Sequence, residues 1–133
     1  MSQSPVGIDI EEIDRKTRNL IPRIATEKEA ENLKNSSLSP SVLLWCVKEA
    51  IVKAYGIGHR FSFRRYEVEI SQKLPWKVTK DPKIKTPFKI KHPYVNFVLK
   101  GNYLVAICGE KSEIDAHPHL FNSNTKINRS HFQ

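Results

Sequence analysis

From Leu44 to Tyr55 the apolar residues Leu44, Val47, Ile51, Ala54 and Tyr55 recur at steps of three and four. That spacing lines one stripe of a helix and predicts a face turned to a core. Ser39 and Pro40 precede the stripe, Gly56 and Gly58 follow it. Ser suits the N-cap, Pro the first helical position and Gly the left-handed residue that ends a helix. The opposite face carries Trp45, Lys48, Glu49, Val52 and Lys53 and is expected to be solvated.

Elsewhere the period is shorter or weaker. Pro5–Ile10 is apolar and β-branched and predicts a short strand. Ile13, Leu20, Ile21 and Ile24, mixed with Arg15, Lys16, Arg18 and Arg23, predict a basic helix interrupted at Pro22. Thr26 and Glu29 have the spacing of a capping box, so a further helix is expected to reach about Lys34. After Gly58 the pattern alternates. Tyr66, Val68 and Ile70 share one side of a strand, and Phe88–Lys91 alternates as well. Pro75 and Lys80–Pro82 mark a turn region. Residues 94–99 and 102–109 predict a hairpin around Lys100–Asn102, with Gly101 supplying the positive φ. Leu104–Cys108 alternates too little for a strand with a wet face and is expected to be central, under the main helix. Strand, helices, then several strands define an α+β fold, an antiparallel sheet packed on a long helix. The folded unit is expected over 1–112, with a flexible polar tail over 113–133. His117, His119 and His131 are irregularly spaced and read as tail histidines rather than ligands.

The chain has 133 residues and a net charge of +8, enough length for one domain with its own core. No apolar run approaches the ~20 residues of a membrane helix, and the start lacks a secretory pattern. Cys46 and Cys108 lie in apolar stretches, so reduced core thiols in a cytoplasmic protein are expected; the apolar and acidic neighbours of Cys46 argue against a catalytic thiol. The positive charge favours anionic partners. Much of it falls in 73–92, where Lys73, Lys77, Lys80, Lys83, Lys85, Lys89 and Lys91 face only Asp81. Interleaved with prolines, these lysines read first as soluble loop and edge strand. No nucleic-acid-binding signature accompanies them, and charge alone does not support nucleic acid as the partner.

Glu49 and Lys53, one helical turn apart, are an ordinary surface pair when taken alone. A second acidic pair changes the picture. Asp9 and Glu11, two apart in an extended segment, project to one side. Two carboxylates from a strand and one from a helix make an all-oxygen site suited to Mg²⁺, with a lysine at hand for phosphate.

These two segments, Gly7-Ile8-Asp9-Ile10-Glu11 and Trp45-Cys46-Val47-Lys48-Glu49-Ala50-Ile51-Val52-Lys53-Ala54, resemble the paired motifs of the 4′-phosphopantetheinyl transferases. The resemblance covers roughly residues 5–110. It implies Mg²⁺-dependent transfer of phosphopantetheine from coenzyme A to a serine of an acidic acyl or peptidyl carrier protein. By matched position it implies Asp9, Glu11 and Glu49 as metal ligands and Lys53 as the contact to the transferred phosphate. Glu49 is also implied as base for the carrier serine, Lys48 as a phosphate ligand, Trp45 as packing and Arg15 as a contact to the acidic carrier helix.

One feature departs from the family pattern: Leu99 stands where such enzymes place a histidine against a phosphate of coenzyme A. The region 101–108 looks like the second module of the longer, surfactin-synthetase-type members, yet the chain has one module's length. Since the family's coenzyme A cleft lies between two modules, the resemblance implies a homo-oligomer, a trimer before a dimer. The alternative that Leu99 raises is a catalytically impaired relative that binds a carrier protein or partner subunit.

Overall fold

The computed structural model describes residues 4–14, 18–57 and 63–116. Five strands, β1 (Val6–Glu12), β2 (Tyr66–Val68), β3 (Trp76–Lys80), β4 (Pro93–Lys100) and β5 (Tyr103–Glu110), form one antiparallel sheet in the order β1-β5-β4-β3-β2. The helices are α1 (Ile21–Ile24), α2 (Glu27–Leu33), α3 (Pro40–Tyr55) and α4 (Lys111–Asp115). The main helix α3 lies on one sheet face, chiefly over β1 and β5. Its ends are those expected: the Ser39 hydroxyl accepts from the Val42 amide, and Gly56 closes the helix at φ 80°. Thr26 and Glu29 complete both halves of the capping box of α2.

Register sorts side chains into rows across the sheet. Gly7, Cys108, Val95 and Trp76 pair in one row, Asp9, Ala106 and Phe97 in the next, and Glu11, Leu104 and Leu99 in a third. All of these point toward α3, because residues paired across an antiparallel ladder share a face. The helix covers an apolar floor that turns acidic only at its β1 edge.

That edge is held close by a missing side chain. A Cβ on Gly7 would stand 2.1 Å from the Ala50 carbonyl oxygen and 2.3 Å from the Ala54 nitrogen. Only glycine lets β1 touch the backbone of α3, and Ala50 and Ala54 keep the helix side of the contact small.

Several elements differ from the expectations. Helix α3 has no solvated face: from Ser41 to Tyr55 only Trp45 and Lys53 escape full burial. Pro22 does not interrupt a helix but opens α1 in its first turn, where its lacking N–H is harmless. The turn region around Pro75 conceals β3, in which Trp76 and Val78 are buried and Lys77 is exposed. Residues 88–91 alternate but form no strand. They belong to a loop pinned by Phe88, whose amide donates to the Tyr55 carbonyl and whose ring covers Gly56. Finally, α4 carries the packed unit past residue 112 through buried Ile114, and residues 117–133, with the three tail histidines, lie outside the described residues.

Gly7→Ala should lower unfolding free energy by about 1–3 kcal/mol, the range for overpacking a tight contact. Urea denaturation should show the loss, with Gly101→Ala, whose added Cβ meets nothing within 4 Å, limited to the smaller penalty of its left-handed φ of 59°.

Candidate active site

Along β1 the side chains alternate sharply. Val6, Ile8 and Ile10 are 43%, 50% and 57% exposed on the outer face, while Gly7 and Asp9 are buried and Glu11 is half-buried on the helix face. Burying Asp9 beside α3 requires a partner for its charge. Lys53, one turn after Glu49, supplies it: its ammonium is 2.9 Å from Asp9 Oδ1 and also donates to the Ile8 carbonyl at 3.3 Å. Lys53 is held above its ordinary pKa, first by the hydrogen bond to Asp9. The negative charges of Asp9, Glu49 and Glu11 add to this against partial desolvation. One ammonium, half in solvent, therefore feels all three carboxylates.

Glu49 is buried in the same region of α3. Asp9 Oδ2 is buried too and has no hydrogen-bond partner among the described residues. A carboxylate oxygen withheld from water is costly unless a donor or a cation meets it. Oxygen donors of this kind suit a hard divalent ion such as Mg²⁺, so the chemistry of the residues fits one. The expected three-ligand cluster is not preassembled, however. Among the described residues no group of three or more His, Cys, Asp or Glu stands together at metal-holding range. Asp9 is paired with Lys53 instead, and the charges of Glu49 and Glu11 act on the same ammonium.

Lys48 requires a correction. Expected on a solvated face as a phosphate ligand, it is completely buried, its ammonium 2.9 Å from Glu29 Oε1 and donating to the carbonyls of Phe63 and Tyr66. Burial lowers its pKa, and the Glu29 charge opposes the shift. With its donors committed inside the core, Lys48 is not a phosphate ligand in this arrangement. Glu29 is the residue that sequence reasoning missed. Its Oε1 also accepts from the Thr26 amide and its Oε2 from the Val68 amide. The capping box disclosed its helix-end role, but nothing local disclosed a counter-ion on another helix.

Trp45 packs against Phe63, ring centres 5.3 Å apart. Cys46 is a core thiol whose sulfur contacts the Asp9 and Leu104 carbonyls, and burial followed by the Asp9 and Glu11 charges drives its pKa up. Such a thiol stays protonated and is a poor nucleophile. Cys108 is likewise buried and free. Leu99 packs against the core. Arg15 lies outside the described residues.

The structure is a two-layer α+β module, with an acid-flanked lysine between an edge strand and its covering helix. The chain belongs to the 4′-phosphopantetheinyl transferase superfamily, whose family model matches residues 5–108. It is similar to a holo-[acyl-carrier-protein] synthase of Clostridium kluyveri, 40% identical over 73 residues, covering 48% of this chain and 54% of the relative. The match thus spans about half the length of that relative. The fold is similar to holo-[acyl-carrier-protein] synthase from Neisseria meningitidis, with TM-score 0.60 at 19% identity over 81% of this chain and 98% of that one. It is similar also to the Helicobacter pylori enzyme solved with coenzyme A, with TM-score 0.60 at 23% identity over 77% and 96% of the two chains. No helix among the described residues is long and apolar enough to cross a membrane.

The two lysines should separate in denaturation experiments. Lys48→Met strands a buried Glu29 and should cost about 3–5 kcal/mol. Lys53→Met leaves Asp9 buried without its partner, but the lysine side of that pair is 48% exposed and water can reach the gap, so the cost should be smaller, about 1–3 kcal/mol.

Proposed function

We propose that this protein transfers 4′-phosphopantetheine from coenzyme A to a serine hydroxyl of an acyl or peptidyl carrier protein. The observation that carries the reading is the junction of buried Asp9 with Lys53, one turn from Glu49, on the two segments that bear the family motifs. Asp9 and Glu49 would hold Mg²⁺, with Glu11 completing the acidic wall on β1. When bound, the ion supplies Lewis-acid neutralisation of the diphosphate. Lys53, half exposed, provides a movable ammonium for an oxygen of the transferred phosphate, releasing Asp9 Oδ1 as it does so. Glu49 accepts the serine proton as the serine oxygen bonds to phosphorus and the bond to the nucleotide leaving group breaks. Charge neutralisation and alignment, rather than a covalent intermediate on the enzyme, supply the catalysis.

The carrier partner is proposed to be acidic, because a net charge of +8 steers acidic surfaces toward this chain, and Arg15 is retained as a contact for it. The reaction is placed in the cytoplasm, which suits two unpaired buried thiols. Self-association is supported by the outer sheet face, and the family resemblance favours a trimer. Val6, Ile8, Ile10 and Tyr103 are exposed there along paired strands, and a contiguous apolar patch on a sheet marks an interface. A second chain would provide the other wall of a cleft for coenzyme A.

Leu99 favours one competing reading, a relative that binds a carrier without modifying it, since a leucine packed against the core offers no group to a phosphate. Incubation with coenzyme A, Mg²⁺ and an apo carrier protein, followed by mass spectrometry of the carrier, separates the two. We expect a gain of one phosphopantetheine arm, with Glu49→Gln slowing it at least ~100-fold, the loss typical of a removed general base, and leaving the fold intact. An unmodified carrier in the wild-type reaction would favour the binding-only reading. In sedimentation velocity the wild type should run as a trimer and Ile8→Lys as a monomer.

A further inference from the structure

Beyond Tyr55 the loop 81–90 folds back over the end of α3 and leaves a cleft of about 550 Å³, lined by Tyr55, Lys80, Ile84, Lys85, Thr86 and Lys89, among others. None of Asp9, Glu11, Glu49 or Lys53 contributes to it. The volume lies in the range of small-molecule sites. Its charge is what distinguishes it. Lys80 is held in the wall by the Asp81 and Ile84 carbonyls, which are neutral acceptors and leave its positive charge uncompensated. Lys85 and Lys89 are exposed and make no ion pair among the described residues. The one carboxylate of the loop, Asp81, is engaged elsewhere, with the Arg65 guanidinium at 3.6 Å and the Lys83 amide at 2.9 Å. Three ammonium groups thus border one concavity with no carboxylate facing them.

The loop is also anchored, so the concavity does not depend on chance side-chain positions. Ile84 is buried, the Ile84 amide donates to Asp81, the Thr86 hydroxyl donates to the Phe88 carbonyl, and the Phe88 amide donates to Tyr55. The floor made by Tyr55 and Ile84, with half-buried Ile90 at its edge, is apolar. Ammonium groups above an apolar floor match a ligand that carries a phosphate on a flat, weakly polar body, as a nucleoside monophosphate does.

We propose that this cleft is a second anion site, separate from the Asp9–Lys53 centre, that binds a nucleotide phosphate through Lys80, Lys85 and Lys89. Two sources of that chemistry exist: a free nucleotide, or the nucleotide end of coenzyme A. The second source rests on the transferase reading, while the site itself does not.

The test is titration of the full chain with AMP by isothermal calorimetry at low and moderate salt. Binding should weaken at least tenfold in Lys85→Ala/Lys89→Ala, remain in Lys53→Ala, and fall as salt rises. Repeating the titration with saturating coenzyme A identifies the source. Retained AMP binding assigns the cleft to a free nucleotide, and lost binding that was Lys85- and Lys89-dependent assigns it to the co-substrate. AMP affinity unchanged in the double variant, or absent in the wild type, overturns the proposal. Because carrier modification is measured separately by mass, either result leaves the transferase reading independently testable.

Discussion

The place where β1 rests on α3 governs the rest of the structure. Gly7 brings two backbones into contact, with the Ala50 carbonyl where a side chain would otherwise stand. Because the approach is backbone to backbone, the separation of strand and helix is nearly fixed, and interiors packed this densely do not adjust by small amounts. Asp9, two residues on, is therefore buried where Lys53 can reach it. Glycine, aspartate, the small alanines and the lysine form one geometric statement written in two distant segments.

The second constraint is that α3 is buried nearly all round. A helix with that much apolar surface would be expected to shed its charges, yet it keeps Lys48 and Glu49 inside and Lys53 at its margin. The two lysines divide the work. Lys48 looks into the core and joins α2, α3 and the segment 63–68 through Glu29 and two carbonyls. Lys53 looks toward the acidic edge of β1. An inward lysine fixes the rotation of α3 about its axis, and that rotation determines where Glu49 and Lys53 stand.

Local chemistry made much of this readable in advance. Caps at Ser39, Gly56 and Thr26, the hairpin at Gly101 and the alternation that sends Asp9 and Glu11 to one side all depend on a few neighbouring residues. The differences have physical causes. Periodicity puts Lys48 on a wet face because it reports which residues of a helix are alike, not how many sides neighbours cover. Trp76–Lys80 was hidden because Pro75 and Asp81–Pro82 mark turns at both ends of a strand only five residues long. Phe88–Lys91 has a strand's alternation, but Phe88 is taken by Gly56 and Tyr55, a tertiary demand that overrides a weak local preference. Side-chain direction along β1 does not report what Asp9 meets across the sheet edge. The lysine that draws Asp9 Oδ1 to itself lies forty-four residues away.

Glu29 ends a helix at one of its oxygens and neutralises an interior lysine at the same time. The start of α2 and the orientation of α3 consequently form a single cooperative unit. If α2 frays, a bare ammonium is left in the protein interior, and that state is too high in energy to be a resting intermediate. Partial opening of this corner is therefore suppressed, and the molecule should lose α2 and the packing of α3 together, in one step, rather than peel from its exposed end.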